Sequence, residues 1–249
     1  MREARAPLVT LIAFMMSSMA AASQPLVQLR GVALTLESAA GAVNILRGVD
    51  LDIGASETLA ITGPSGSGKS TLLAVLTGLE RPSAGTVTVA GHNLGTMDED
   101  ALALFRRNTI GIVFQSFHLI PTMTALENVA VPLELAGNKD AFAVAGASLE
   151  AAGLGPRMGH YPSQMSGGEQ QRVAIARAFA GAPALVIADE PTGNLDTNTG
   201  AAIVDLMFSI QASQHTALVL ITHDRTIAQR CDRIIHMQDG RAVPATKVT

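Results

Sequence analysis

The chain has 249 residues, a length that allows one large domain or two small ones. Hydrophobic residues make up 48% and charged residues 15%, so the composition is that of a packed globular protein and excludes a disordered chain. Seventeen Lys and Arg against 21 Asp and Glu give a formal charge of −4, which argues against broad binding to the phosphates of nucleic acid. The single cysteine, Cys231, cannot close a disulfide within the chain, and this fits a reducing compartment.

Residues 1–24 are interpreted as an extension that precedes the domain. Two Arg and one Glu are followed by an almost uncharged run from Ala6 to Ala22, which is typical of a signal peptide. The alternative is a mis-set translation start, because three methionines between positions 15 and 19 offer later starts and the recognisable domain begins near Val27. The run is too short and too weakly flanked to predict a helix that spans a membrane.

From Val27 onward, short β-rich runs alternate with helical patterns, which predicts an α/β fold with a mostly parallel sheet. The predicted strands are Val27–Leu36, Val49–Ile53, Thr58–Ile61, Thr86–Val89, Ile110–Phe114, Leu185–Ala188, Leu218–Ile221 and Ile234–Met237. The run Leu185–Ala188 is apolar on both faces and therefore predicts a central, buried strand. Asp239-Gly240 predicts the turn of a C-terminal hairpin.

Between Thr124 and Met165 the strand signals stop and the pattern becomes helical. Thr124 is the expected N-cap of a helix, and Gly137 and the stretch from Gly153 to Pro156 are the expected breaks. We therefore expect an inserted helical subdomain at about residues 116–165, within one domain of residues 25–249.

A glycine-rich segment follows directly after the strand Thr58–Ile61 and matches the P-loop pattern G-x-x-x-x-G-K-[ST]. The segment consists of Gly63, Pro64, Ser65, Gly66, Ser67, Gly68, Lys69 and Ser70, and Thr71 begins the predicted helix that runs to Leu76. Glycines let backbone N–H groups converge on phosphate oxygens, and the helix N-terminus adds a positive dipole. Lys69 supplies a cation for the β- and γ-phosphates, and the Ser70 hydroxyl is suited to Mg²⁺. The alternative is a flexible glycine turn, but such a turn has no need of Lys69.

Two adjacent carboxylates, Asp189 and Glu190, stand at the carboxyl end of the predicted central strand, where α/β sheets bind ligands. This is a Walker B pattern, in which Asp189 faces Mg²⁺ and Glu190 polarises the water that attacks the γ-phosphate. Because neighbouring residues of a strand point to opposite faces, we expect the two carboxylates not to compete for one ion. A solvated strand end is the alternative.

A second glycine motif lies 23 residues before Asp189. Ser166 and Glu169 form an S-x-x-E capping box that starts a helix, with Gly167 and Gly168 open to an anion. The stretch Met165–Arg172 resembles the LSGGQ signature of ATP-binding cassette (ABC) proteins, and four further features occur in that family's order: Gln115 after a strand, Asp189-Glu190, Asn194-Leu195-Asp196 and His223. The resemblance covers about Val27 to Val243 and implies a P-loop NTPase core of the RecA type, with an antiparallel β subdomain and a helical subdomain.

The resemblance also implies a role for each motif. Two copies would form a head-to-tail homodimer, in which the P-loop of one chain and the signature residues Ser166, Gly167 and Gly168 of the other hold each ATP. Gln115 would ligate Mg²⁺ together with Ser70 and Asp189. Glu190 would act as general base, His223 would contact the γ-phosphate, and Asp196 would work across the dimer interface. The expected catalytic residues are thus Glu190, His223, Lys69 and Gln115.

Two features depart from the family pattern. Glu169 replaces the usual signature glutamine, but it can still cap the helix. No aromatic residue lies between Val27 and Gly63, where the family stacks adenine, and Leu36 offers only apolar contact. We therefore expect weaker or less adenine-selective nucleotide binding.

Three stretches, Ala188–Asp196, Val113–Phe117 and Leu126–Val129, resemble one branch of the family, the ATP-binding subunits of lipoprotein-releasing, macrolide-exporting and cell-division-type transporters. This implies a membrane permease partner with a periplasmic domain, and a place at the cytoplasmic face of the inner membrane. A mechanical signalling module that acts on periplasmic enzymes remains an alternative, because it would use the same ATP site. A soluble cassette ATPase of DNA repair or translation is disfavoured, since the chain has neither a coiled-coil insertion nor a second cassette.

An apolar stretch after Gln115 leaves two interpretations open. It contains Phe117, Leu119, Ile120 and Met123. These residues either belong to the core of the helical subdomain or line a groove that receives a helix of the membrane partner.

Overall fold

The computed structural model describes residues 24–38 and 41–244, so the signal-like run and the alternative starts lie outside the described residues. The strands are β1 (Val27–Ser38), β2 (Gly41–Ile53), β3 (Thr58–Thr62), β4 (Ala84–Val89), β5 (His92–Asn93), β6 (Ile110–Val113), β7 (Leu185–Asp189), β8 (Ala217–Ile221), β9 (Arg233–Gln238) and β10 (Arg241–Pro244). The α-helices are α1 (Lys69–Leu76), α2 (Glu99–Thr109), α3 (Ala125–Leu135), α4 (Ala141–Ala151), α5 (Gly167–Phe179), α6 (Thr197–Gln214) and α7 (Arg225–Ala228). Short 3₁₀ turns occur at Leu94–Thr96, Gly155–Arg157 and Pro162–Gln164.

The described residues form two sheets. An antiparallel sheet has the order β2-β1-β4-β5, and a second sheet has the order β10-β9-β3-β8-β7-β6, in which every pair except β10 with β9 is parallel. The α/β class and the antiparallel β subdomain are thereby confirmed. Strand β7 pairs on both sides and its residues up to Ala188 are fully buried, as its unbroken apolar run predicts.

In the described part of the chain, apolar side chains form three clusters that fix how the layers stack. One cluster joins the antiparallel sheet, α1 and one face of the parallel sheet. A second joins the other face of the parallel sheet to α5 and α6. The third belongs to α3, α4 and part of α5, so helix α5 contributes side chains both to the core of the sheet and to the helical cluster.

The helical segment begins as predicted. The Thr124 hydroxyl accepts a hydrogen bond from the backbone N–H of Glu127, and the Glu127 carboxylate accepts one from the Thr124 N–H, which makes a capping box. Helix α3 ends before Gly137 and α4 ends before Gly153, at the two predicted breaks. The numerical limits 25–249 and 116–165 remain predictions, since the packing of the third cluster continues into α5.

Sequence and structure differ at several element ends. Strand β2 begins at Gly41 rather than Val49, because its first residues are exposed and carry no apolar alternation. Helix α1 begins at Lys69 rather than Thr71, since the Leu72 N–H already donates to the Gly68 carbonyl. The predicted hairpin turn is confirmed, with positive φ at Asp239 (49°) and Gly240 (76°). Across the described residues, no helix is both long enough and apolar enough to cross a membrane.

Candidate functional site

Four adjacent strands of the parallel sheet deliver the motifs to one edge. The carboxyl ends of β3, β6, β7 and β8, with the segments that follow them, carry in that order the P-loop, Gln115, the pair Asp189-Glu190 and His223. They surround a cavity of about 570 Å³, a size in the range of ligand pockets. The cavity is lined by Ile45, Gly63, Ser65, Gly66, Gly68, Lys69, Ser70, Thr71, Gln115, Asp189, Glu190 and His223.

The P-loop is closely packed against the end of the sheet. Gly63 has φ 142°, and a Cβ there would lie 2.2 Å from the carbonyl oxygen of Met237. Gly68 has φ 99° and precedes α1, whose N-terminus has no hydrogen bond from a capping side chain of the described chain. The first N–H groups of α1 therefore remain available to an anion, and the backbone alone shapes the cradle.

Side chains of the P-loop add charge and hydroxyls. The Lys69 Nζ donates to the carbonyls of Gly63 (2.9 Å) and Pro64 (2.8 Å), which holds the ammonium above the loop. An ammonium has three donors, so one is left for a phosphate oxygen. Within the described chain, the buried Ser67 Oγ has no hydrogen-bond partner. Pro64 and Ser67 belong to the loop but do not line the cavity.

The two carboxylates differ from the expectation in one respect. Asp189 ends β7, but Glu190 has left the strand and adopts φ 45°, so their directions are set by a turn and not by strand alternation. The turn is closed by hydrogen bonds from Glu190 N to the Ile221 carbonyl (2.9 Å) and from Gly193 N to the Glu190 carbonyl (3.0 Å). A non-glycine residue in this region is strained, and such strain is concentrated at functional sites.

Asp189 and Glu190 have different electrostatic surroundings. Burial raises the pKa of Asp189, the neighbouring charge of Glu190 raises it further, and Lys69 opposes both effects. The Glu190 Oε2 lies 3.0 Å from the Nδ1 of His223. Since an ionised carboxylate only accepts hydrogen bonds, Nδ1 carries the hydrogen in this contact.

Gln115 is tied to the segment after β7 by a reciprocal pair of contacts. The Asn194 Nδ2 donates to the Gln115 carbonyl (2.9 Å), and the Gln115 Nε2 donates to the Asn194 Oδ1 (3.4 Å, a long contact). A Cβ at Gly193 would lie 2.7 Å from the Gln115 Nε2, so the glycine leaves room for this amide. The Gln115 side-chain oxygen is not used in either bond.

The available donor set fits Mg²⁺. Ser70 offers a hydroxyl, Asp189 a carboxylate and Gln115 an amide oxygen, and all three residues line the same cavity. Hard oxygen donors, few in number, are what Mg²⁺ takes when it retains several waters. These residues would hold the ion beside the P-loop.

The signature motif forms the predicted cap. The Ser166 Oγ accepts from the Glu169 N–H (3.3 Å), and the Glu169 carboxylate accepts from the Ser166 N–H (2.8 Å), which lowers the pKa of Glu169. The Arg157 Nε also donates to Glu169 (3.0 Å), so the negative charge of the carboxylate that replaces the usual glutamine is paired with a cation.

The signature residues lie outside the cavity of their own chain. Among the described residues, the cavity lining does not include Ser166, Gly167, Gly168 or Asp196. Asp196 instead caps α6, accepting from the N–H groups of Asn198 and Thr199 (3.1 Å each), and its hydrogen bonds to Thr199 lower its pKa. The predicted site residues thus fall into two separate groups.

The position expected to stack a nucleotide base is aliphatic. Leu36 pairs with Val43 across β1 and β2, and the two side chains are 44% and 46% exposed. Ile45, further along β2, lines the cavity beside the P-loop. Leu36 and Val43 therefore form an exposed apolar ledge, which is not part of the cavity lining among the described residues.

The apolar stretch after Gln115 has mixed roles. Leu119 packs against the helical cluster, and the Phe117 ring lies near Gly167. Ile120 is 38% exposed and lines a second cavity of about 490 Å³ between β6, α3 and the end of α5. Only part of the stretch is core, and Phe117 does not line this groove.

Two polar residues that sequence reasoning missed hold this stretch. Asn128 is buried, accepts from the Ile120 N–H (2.7 Å) and donates to the carbonyls of Ile120, Met123 and Thr124. Arg177 donates to the carbonyls of Phe117 and His118. The available signal was a polar residue within an otherwise apolar helical run.

The chain is similar in sequence to known proteins of one family. The family described as ABC transporter matches residues 46–193. An uncharacterised ABC transporter ATP-binding protein of Escherichia coli, YbbA, is 52% identical over 201 residues, covering 80% of this chain and 88% of that protein. The lipoprotein-releasing system ATP-binding protein LolD 2 of Caulobacter vibrioides is 47% identical over 220 residues, covering 88% and 96%.

A solved structure is also similar. It is the dimeric, post-hydrolysis state of the ATP-binding cassette MJ0796 bound to ADP and Pi, with a TM-score of 0.81 and 38% identity over 90% of this chain and 99% of that one. By its P-loop, its paired carboxylates and these relatives, the chain belongs to the ABC transporter family and is an ATP-hydrolysing cassette.

Proposed function

We propose that this chain powers a membrane transporter by hydrolysing ATP in the cavity at the carboxyl edge of its parallel sheet. The observation that carries the proposal is the convergence of four motifs, separated by up to 160 residues in sequence, on one cavity. A polar strand edge without function would need neither the strained turn at Glu190 nor a P-loop glycine against the Met237 carbonyl.

The P-loop binds the triphosphate. Backbone N–H groups of the P-loop after Pro64 and the uncapped N-terminus of α1 would surround the phosphates, and Lys69 would neutralise charge on the β- and γ-phosphates. When bound, Mg²⁺ neutralises phosphate charge during the transfer, and Ser70, Asp189 and Gln115 would hold it. The apolar ledge of Leu36 and Val43 would support the base.

Hydrolysis follows from the pair Glu190 and His223. Glu190 accepts a proton from water as the water oxygen bonds to the γ-phosphorus, and the bond from that phosphorus to the β–γ bridging oxygen breaks to leave ADP. The His223 Nδ1–H, 3.0 Å from Glu190, orients the carboxylate, and in the doubly protonated ring the Nε2–H is a second donor for a γ-phosphate oxygen.

A second copy of the chain would complete the site. The signature glycines open a capped helix N-terminus that is suited to an anion, yet they do not line the cavity of their own chain. A head-to-tail dimer supplies this helix end to the triphosphate of the partner. The dimeric form of the similar MJ0796 cassette supports this arrangement.

The groove that contains Ile120 is our candidate for docking the membrane partner. Its lining combines an exposed isoleucine with the cations Arg107 and Arg177, which suits an amphipathic segment that carries an acidic residue. We propose that the partner is a permease with a periplasmic domain, that the chain works at the cytoplasmic face of the inner membrane, and that the complex exports substrate or extracts lipoprotein. The lipoprotein-releasing relatives support this choice.

The enzymatic part is tested by phosphate release from the purified chain. We expect Lys69→Ala to lower kcat by about 100-fold or more, since one preorganised charge on the transferring group is lost. Lys139→Ala, at an exposed site on the helical segment, is the matched control and should hydrolyse ATP as the parent does. Equal turnover in Lys69→Ala and the parent would contradict the proposal.

The transport part is tested by purification from membranes. Tagged chain should retain an integral membrane protein, Ile120→Glu should lose it, and Leu79→Glu, which changes another exposed apolar residue outside the groove, should retain it. Retention by Ile120→Glu would exclude docking at this groove. Identification of a partner without a transport pathway, but joined to periplasmic enzymes, would favour the mechanical alternative.

A further inference from the structure

Arg177 is an arginine in an unusual place. It lies in the last turn of α5, among buried apolar residues, and burial lowers the pKa of its guanidinium. None of the ion pairs found among the described residues includes Arg177. A partly desolvated cation without a carboxylate is costly unless its donors are used well.

Its donors are used on backbone carbonyls. The Nη1 donates to the His118 carbonyl (2.6 Å) and the Nη2 to the Phe117 carbonyl (2.8 Å). Two donors of one planar group thus bind two consecutive peptide units, 59 and 60 residues away in sequence. Hydrogen bonds to an ionised donor are stronger than neutral ones, and the rigid fork fixes orientation as well as distance.

The backbone that Arg177 binds is strained. Phe117 has φ 57° and His118 has φ 48°, so two consecutive non-glycine residues occupy the left-handed region. Each such residue costs on the order of 1 kcal/mol or more and persists only where its surroundings enforce it. The Arg177 fork is the contact that enforces it from the α5 side.

The strained turn is continuous with the proposed magnesium ligand. Gln115 lines the ATP cavity and is two residues before Phe117. Helix α5 begins at the signature motif and packs both into the helical cluster and against the sheet. A rigid helix therefore connects the signature glycines at one end to the segment beside Gln115 at the other.

We propose that Arg177 is a positioning residue for hydrolysis, which holds the Phe117–His118 turn so that the Gln115 amide oxygen is presented to Mg²⁺. This inference rests on the proposed role of Gln115 as a ligand of the metal. Loss of the guanidinium lets the left-handed turn relax and moves Gln115 from the cavity, while the P-loop is unaffected.

The experiment measures how much Mg²⁺ contributes to nucleotide affinity, without hydrolysis. A fluorescent, non-hydrolysable ATP analogue is titrated with Mg²⁺ and with EDTA, and the ratio of the two Kd values reports the contribution of the metal. We expect Arg177→Met, which keeps an apolar stem, to reduce this ratio about tenfold with little change of Kd in EDTA, because residues that orient a metal ligand typically act at this scale. Arg172→Met is the matched control, since Arg172 lies on the same helix and donates to the Ala152 carbonyl, away from Gln115.

A double-mutant cycle separates positioning from general destabilisation. In a Gln115→Ala background the ligand is already gone, so Arg177→Met should reduce the ratio no further. An additive effect, or an unchanged ratio in Arg177→Met, overturns the inference. Should Arg177→Met not fold, Arg177→Lys, which can reach one carbonyl, is expected to give a smaller reduction that again vanishes without Gln115. If Mg²⁺ does not strengthen binding even in the parent, the proposed metal site itself is wrong.

Discussion

The two signature glycines, Gly167 and Gly168, differ in how much space the fold leaves for a side chain. This difference tests whether the motif contacts a second copy of the chain. A Cβ at Gly168 would lie 2.6 Å from the Thr199 Cγ2, well inside carbon–carbon contact. A Cβ at Gly167 would meet the Leu195 Cδ2 at 3.4 Å and the Phe117 Cζ at 3.8 Å, which are ordinary contacts. Packing within the chain therefore requires glycine at one position and not at the other.

The magnitudes follow from these distances. Gly167→Ala should leave the free energy of unfolding unchanged or raise it by up to about 1 kcal/mol, because alanine is the better helix former. Gly168→Ala should lower it by about 1 to 2 kcal/mol, the usual scale of overpacking after the helical gain. Urea denaturation of both variants measures these values, with Gly159→Ala, where a Cβ meets nothing within 4 Å, as control.

The loss of kcat in these variants should not parallel the loss of free energy of unfolding. We expect Gly167→Ala to lose about 100-fold in kcat despite its intact fold, because a methyl group there displaces the triphosphate of the partner chain by about 1 Å. The assay is phosphate release at saturating ATP and at a chain concentration that supports dimers. Parental turnover in a stable Gly167→Ala would refute the reasoning that the signature forms half of the site.

Three further outcomes are expected. Leu36→Tyr should raise ATP affinity about tenfold in equilibrium titrations, because aromatic stacking on a base is worth roughly 1 to 3 kcal/mol, and unchanged affinity would show that Leu36 does not face the base. Burial raises the pKa of Asp189, and Mg²⁺ needs the ionised carboxylate. As the pH is lowered, the contribution of Mg²⁺ to nucleotide affinity should therefore be lost at a higher pH than it would be with an aspartate of ordinary pKa. Asp189→Asn, which has no carboxylate to protonate, should show no such loss. Asn128→Ala should lower the free energy of unfolding by about 2 kcal/mol in urea, since it leaves the Ile120 N–H without its partner, and a loss below about 0.5 kcal/mol would contradict this.

Much of the fold could be predicted from local pattern. The apolar run that became β7, the Thr124 and Ser166 capping boxes and the Asp239-Gly240 turn depend on neighbouring residues, and the structure bears them out. The start of β2 was missed because an exposed hairpin arm has no apolar alternation to detect. Local pattern therefore predicts an element best where that element is buried or capped.

The arrangement within the site depends on contacts between distant residues, which one sequence does not reveal. The turn at Glu190 closes on Ile221, and Gln115 pairs with Asn194, 79 residues away. The Arg177 fork spans about 60 residues to reach Phe117. Strand alternation does not fix the direction of Glu190, because this residue has already left the strand.

The central claim is that two chains enclose ATP between the P-loop of one and the signature of the other, and it is tested most directly by the oligomeric state of Glu190→Gln. This variant keeps the shape of the site but lacks the base, so it should be a dimer with Mg²⁺ and ATP and a monomer with ADP when mass is measured by light scattering. Adding Gly167→Ala should return it to a monomer in ATP. A Glu190→Gln chain that binds ATP yet stays monomeric would contradict the account.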